Sequence, residues 1–276
     1  MTGFVLTPER RDELADLLED DKYFRTTYPA VADYLDTAPM LTGTADAAAD
    51  QAFDLRMLHF MTGGASDNPL WDIVGPLTRA DAETGRRVIH GSSRLAYAQT
   101  VLQEAFAYAV PSPETVSWVA DQVQNRGLVE IGAGRGYWAH QLRAVGLDVL
   151  AFDSQPPDSH ENPSFSRRPD GPAVWGHVGD LEELKDVQSA GALVDRVLFL
   201  CWPPGWEDAM SLDSLLAYEH AGGDRVVYIG EPRGGRTGSE DFFDRLSSTW
   251  ELVDEDPHFV TWWNLSDQAQ CWSRCK

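Results

Sequence analysis

The sequence predicts an α/β protein, a mostly parallel sheet with helices on both faces, preceded by an α-helical region over residues 1–110. Three observations predict it. From Pro111 onward, short apolar runs alternate with helical stretches, as they do when parallel strands are joined by crossover helices. Before Pro111 the apolar residues fall into helices and loops. At 128–136 an apolar strand, Leu128-Val129-Glu130-Ile131, runs straight into three glycines and then a helix.

In chain order, Thr7-Pro8 supplies an N-cap and a first-turn proline ahead of Leu14, Leu17 and Leu18. A second apolar helix is expected over 45–61. The turn-rich segment 62–69 is expected to be a loop. A third helix is expected over 92–109, with Leu95, Ala98, Val101, Leu102, Ala105, Phe106 and Ala109 on one stripe. Beyond Pro111, strands are expected at 128–131, 149–152, 194–201 and 225–230, with helices at 137–145, 181–187 and 210–220 between them. Residues 154–172 are rich in proline and polar side chains, which predicts a long loop in place of a helix. Near the end, 250–253, 259–263 and 270–273 read as an antiparallel edge.

Composition limits the partners. Hydrophobic content is 43%, charged content 24% and formal charge −22. An acidic surface repels phosphate backbones, and nucleic-acid binding draws most of its affinity from Lys and Arg. The basic doublets Arg86-Arg87 and Arg167-Arg168 stand alone, so nucleic-acid and membrane-surface partners are not expected. No stretch approaches the roughly 20 apolar residues that span a bilayer. The N-terminus lacks a basic segment followed by an apolar run, so no secretory signal is expected. Cys201, Cys271 and Cys275 are too few for a disulfide scaffold and fit a reducing cytoplasm, the expected location. Cys271 and Cys275 have no matching His or Cys pair, so no metal site is expected.

The glycine spacing separates two kinds of ligand. Dinucleotide loops follow G-x-G-x-x-G. Here the glycines fall at 132, 134 and 136, with Tyr137 at the third dinucleotide position and Glu130 two residues before the first glycine. Glycine permits the sharp turn and close backbone approach such a loop needs. Asp153 follows the next strand, 19 residues beyond Gly134, where a carboxylate can accept from both hydroxyls of a ribose. Gly179-Asp180 follows a further apolar pair, and Asp180 serves equally as a cap for the helix beginning at 181.

Glu130-Ile131-Gly132-Ala133-Gly134-Arg135-Gly136 resembles motif I of class I, Rossmann-like, S-adenosylmethionine-dependent methyltransferases, (D/E)-x-G-x-G-x-G, and the resemblance covers the chain from about Phe106 onward. It implies a methyltransferase domain over 111–276, with residues 1–110 as a helical cap or lid. It implies S-adenosyl-L-methionine as cofactor and S-adenosyl-L-homocysteine as product. The implied cofactor contacts are Phe106, Glu130, Gly132, Ala133, Gly134, Gly136, Tyr137, Asp153, Ser154, Gly179, Asp180 and Cys201. Phe106-Ala107-Tyr108-Ala109-Val110-Pro111, Cys201-Trp202-Pro203-Pro204 and Tyr228-Ile229-Gly230-Glu231 are similar to segments of a little-characterised methyltransferase-like family, which carries no activity to transfer. NAD is the alternative cofactor.

In such folds, ligands bind beyond the carboxyl ends of the strands. Cys201-Trp202-Pro203-Pro204-Gly205-Trp206 ends the fourth strand and resembles in part the (N/D)-P-P-(Y/F) loop of amino-methyltransferases, with Trp202 replacing the polar residue and Gly205 the aromatic one. Trp202, Pro203 and Trp206 are therefore expected at the acceptor site, or else in a rigid turn packed on the core. Glu231, after the fifth strand, reads as a substrate contact or a solvated loop carboxylate. None of the seven histidines stands out as a general base. The expected activity is methyl transfer to nitrogen or oxygen of a small molecule, driven mainly by positioning. A protein or peptide methyltransferase and a non-catalytic adenosylmethionine-fold binding protein are the alternatives.

Overall fold

The computed structural model describes residues 4–157, 174–189 and 191–275. The predicted loop over 154–172 therefore falls largely outside the described residues.

The main sheet has six strands: β3 (Gly127–Ile131), β4 (Val149–Phe152), β5 (Arg196–Cys201), β6 (Arg225–Gly230), β7 (Trp250–Glu255) and β9 (Gln268–Arg274). Their order is β4-β3-β5-β6-β9-β7. The first four are parallel, and β9 is antiparallel to both β6 and β7. A bridge from Phe152 to Gly179 extends the β4 edge. This is the Rossmann-like arrangement of class I methyltransferases.

Strand alternation sorts side chains to two faces. Leu128, Val197 and Phe199 pack under α7 (Pro113–Val123) and α8 (Tyr137–Ala144). Val129, Leu198 and Leu200 pack under α10 (Met210–His220) and α11 (Glu240–Thr249). Both faces of β5 are covered, which is why its sequence is continuously apolar instead of alternating. A further helix, α9 (Leu181–Ser189), follows Asp180.

The first 110 residues hold α1 (Pro8–Glu19), α2 (Asp21–Thr27), α3 (Pro29–Thr37), α4 (Ala47–Met61), α5 (Pro69–Val74) and α6 (Ser93–Ala105). Thr7 caps α1 as predicted, its side chain accepting from Arg10 N–H. The region is not wholly helical, however. It contributes β1 (Thr78–Ala80) and β2 (Arg87–Ile89), which form a separate three-stranded sheet with β8 (Val260–Trp262). The expected edge strand at 259–263 thus leaves the main sheet and pairs in parallel with β2, while 250–255 and 268–274 form the antiparallel edge.

The helix expected over 92–109 stops at Ala105. Indole groups capture the carbonyls beyond it: Trp262 Nε1 donates to Tyr108 O at 3.2 Å and Trp138 Nε1 to Ala109 O at 3.2 Å. Those bonds tie the bent segment 106–110 to β8 and α8. No described helix is long and apolar enough to cross a membrane.

Candidate functional site

The glycine loop turns between β3 and α8. Gly132, Gly134 and Gly136 all have positive φ (79°, 54° and 74°), where a side chain is strained. At Gly132 a Cβ would also lie 2.4 Å from the Met210 methyl group. Four of the loop's N–H groups are consumed internally. Gly132 and Ala133 donate to Phe152 O, Gly136 donates to Ala133 O, and Gly134 donates to Asp153 Oδ2 at 2.9 Å. Asp153 Oδ1 accepts from Gln155 N–H, so one carboxylate joins the loop to the end of β4.

Two cavities meet at Gly132. The larger, about 690 Å³, is bordered by Asp153, Ser154, Leu181, Pro204 and Met210. The smaller, about 140 Å³, lies on the other side of the loop, against Glu130, Ala133, Gly134, Tyr137 and Cys201, and Phe106, Tyr108 and Trp202 close it. Glu130 is 2% exposed, and its Oε2 has no hydrogen-bond partner among the described residues. Burial pushes its carboxyl up to about 8, against the opposing charge of Arg143. One oxygen of a buried carboxyl left without a partner in a cavity wall calls for a cation or hydrogen-bond donor from outside the chain. Cys201 is held as the thiol, because burial and the nearby Glu130 charge raise it well above its ordinary value.

The structure brings most of the predicted residues together and relocates others. Phe106 borders the smaller cavity and also packs against Tyr137 and Trp175, with ring centroids 5.2 and 5.6 Å away. Tyr137 borders it too, but its hydroxyl donates to Asn68 Oδ1 at 2.7 Å and accepts from Leu70 N–H at 3.1 Å. Gly179 pairs with β4, accepting from Asp153 N–H and donating to Ala151 O. Asp180 caps α9: its Oδ1 accepts from Glu182 and Glu183 N–H, and it borders neither cavity.

Trp206 is the clearest displacement. It is 79% exposed on the outer loop and borders neither cavity, because the turn through Pro204 and Gly205 pairs with 237–239 and carries its ring outward. Pro203 is buried beneath that turn, its carbonyl accepting from Gly238 N–H. Glu231 is neither solvated nor open to a ligand. It is 6% exposed, and its two oxygens accept from Arg236 and Ser266 N–H at 2.7 and 3.0 Å, which fastens two loops together.

No family model and no curated protein matches this chain. Among solved structures it is similar to magnesium protoporphyrin IX methyltransferase (ChlM) from Synechocystis PCC 6803. The form with bound SAM is 12% identical, with 66% of this chain and 81% of that one covered at a TM-score of 0.30. The form with bound SAH is 11% identical, with 66% and 85% covered at 0.31. The S-adenosylmethionine-dependent methyltransferase SibL in its apo form is 13% identical, with 96% and 76% covered at 0.35. Strand order, rather than these distant likenesses, defines the fold class.

Sequence reasoning missed Asp267. It is fully buried and accepts from Trp202 Nε1 at 3.0 Å and from Thr261 Oγ1, and burial pushes its carboxyl up to about 6. Its partner Trp202 lies 65 residues earlier, so no local pattern could announce the pair. Trp202 itself adopts φ 54°, an uncommon conformation for a bulky residue and costly by roughly 1–3 kcal/mol. The Asp267 bond helps to hold it there.

Proposed function

We propose that this chain is an S-adenosylmethionine-dependent methyltransferase acting on a small molecule. The observation that carries the reading is the buried Glu130 carboxyl, whose Oε2 has no partner among the described residues, beside a glycine loop whose Gly132, Ala133, Gly134 and Gly136 N–H groups are already bonded within the chain. Dinucleotide sites hold an anionic pyrophosphate on free loop N–H groups. At this loop the N–H groups of the three glycines and of Ala133 are used, and acidic side chains border both cavities. That chemistry disfavours a dinucleotide and suits a ligand with an ammonium and a sulfonium.

In this reading Glu130 holds the cofactor's ammonium end, Gly132 lets the chain pass between the cavities, and Asp153 and Ser154 meet the ribose. Leu181 and Met210 offer apolar faces to the base. When bound, S-adenosylmethionine supplies a methyl group on a good leaving group, so the protein's task is mainly alignment and exclusion of water, which can contribute about 7–11 kcal/mol. Residues 1–110 act as the cap, through Phe106 and Tyr108 at the smaller cavity. Nothing in that cavity favours a nucleic acid, and its small volume favours a compact acceptor over a protein chain. Isothermal titration tests the assignment. S-adenosylhomocysteine should bind at micromolar affinity or tighter and NAD should give no heat; tight NAD binding alone would overturn it.

A further inference from the structure

We propose that two adjacent side chains on α10, Asp213 and Ser214, read the edge of the cofactor's base and make the larger cavity selective for a 6-aminopurine. The proposal rests on the methyltransferase reading and adds the residues that set its nucleoside specificity.

The larger cavity is a groove between two helices. Met210, Asp213, Ser214 and Ala217 border it from α10, at the i, i+3, i+4, i+7 spacing of a single helical stripe. Leu181, Leu184 and Gln188 border it from α9 at the same spacing. No residue of α9 is buried, so its two leucines face a groove that the chain itself leaves open. The first residue of each stripe marks the ribose end. The Met210 methyl group lies against Gly132, and Gly179, two residues before Leu181, accepts from Asp153 N–H. Asp213 and Ser214 stand one helical turn further along, roughly 5 Å, where the far edge of a base follows its sugar.

The other polar groups of the groove are occupied or lie elsewhere. Lys185 Nζ donates to Glu182 Oε1 at 2.7 Å, and Asp208 Oδ1 accepts from Met210 N–H at 2.8 Å. Asp180, which the resemblance implied as a cofactor contact, is spent on the α9 cap. Ser154 stands beside Asp153 at the ribose end, and Gln188 lies two turns along α9, beyond a base. The Asp213 carboxylate makes no hydrogen bond or ion pair among the described residues. Ser214 is 8% exposed, yet its hydroxyl also makes no hydrogen bond among them, whereas Ser211, on the same helix, accepts from Ser239 N–H. A buried hydroxyl is ordinarily bonded, so Ser214 keeps its donor and its acceptor for what enters the groove.

These two free groups match one nucleobase edge. A carboxylate only accepts, so Asp213 takes the exocyclic amine of a 6-aminopurine. The Ser214 hydroxyl donates to the unprotonated ring nitrogen beside that amine. A 6-oxopurine turns a carbonyl toward Asp213, and two acceptors then face each other with no hydrogen between them. Its ring nitrogen carries a hydrogen, which the Ser214 hydroxyl can turn to accept. Asp213 is therefore the discriminating group, and Ser214 binds either edge.

Isothermal titration of the full-length protein compares S-adenosylhomocysteine with S-inosylhomocysteine, which differs only in its 6-oxo group and ring N–H. The wild type should prefer the amino form by about tenfold or more. Asp213→Asn, whose amide both donates and accepts, should bring the two ligands within about threefold of each other. Ser214→Ala should weaken both ligands several-fold and keep the preference. Since neither side chain has a partner in the chain, thermal unfolding should give both variants the wild-type Tm; a clear loss would mean a structural bond in place of a free edge reader. Failure of S-adenosylhomocysteine to bind the wild type removes the cofactor reading and this proposal with it. If it binds while the oxo form matches it, or if Asp213→Asn keeps the preference, or if Ser214→Ala binds both ligands as the wild type does, only the base-edge proposal falls.

Discussion

Glu130 is where stability and binding pull against each other. Its folded-state carboxyl is raised to about 8 by burial, so the neutral acid is the form the folded chain tolerates. A raised carboxyl contributes its full stability below the unfolded value, about 4.3, and loses it as pH rises through about 8. At pH 7 the loss is on the order of 4 kcal/mol. Glu130→Gln, which cannot ionise, should therefore show a higher Tm than the wild type at pH 8 and a much smaller difference at pH 4. The same change should weaken S-adenosylhomocysteine by about tenfold or more, because a charged partner contributes roughly 1.5–3 kcal/mol. Scanning calorimetry and titration on the same sample check both, and a variant that binds as well as the wild type would mean that Glu130 faces no ligand. Glu130, the glycines and Asp153 were legible in the sequence because they are adjacent or follow consecutive strands. Trp206 and Glu231 were placed at the site because they follow strand ends, yet a turn carries one outward and two backbone N–H groups occupy the other.

At the scale of elements, Tyr137 joins α8 to α5. Its hydroxyl makes two bonds to residues 67–69 positions earlier in the chain, one to the Asn68 cap and one to the first turn of α5. Tyr137→Phe strips a buried acceptor and a buried donor from these partners, which should cost about 1–3 kcal/mol in stability. Cofactor affinity should stay within about twofold, since the ring is retained. Thermal unfolding and titration read this directly: unchanged Tm with lost affinity would assign the hydroxyl to ligand binding. The parallel strands were legible because burial on both faces writes continuous apolar runs. The short strands β1 and β2 were not, since three residues carry no period and the pairing of β2 with β8 spans more than half the chain. The early end of α6 was hidden for a similar reason: its apolar stripe continues in sequence, and only indoles from distant segments show where the helix stops.

Across the whole molecule, one apolar cluster runs from Leu14, Phe53 and Leu102 into Tyr137, Val260, Trp262 and Leu265. The N-terminal helices thus share their core with α8 and β8, and Phe106 reaches the smaller cavity from a rigidly supported position. The cap we propose is accordingly part of the site's wall. In the proposed reading, the buried neutral Glu130 carboxyl becomes charged when the cofactor's ammonium arrives. Calorimetric titration with S-adenosylmethionine at pH 7, repeated in buffers of different ionisation enthalpy, counts the protons exchanged on binding. With Glu130 raised to about 8 in the free protein and ionised against an ammonium in the complex, close to one proton is released and affinity strengthens as pH rises toward 8. Binding with no proton released, and with affinity flat from pH 6 to 8, would contradict the account.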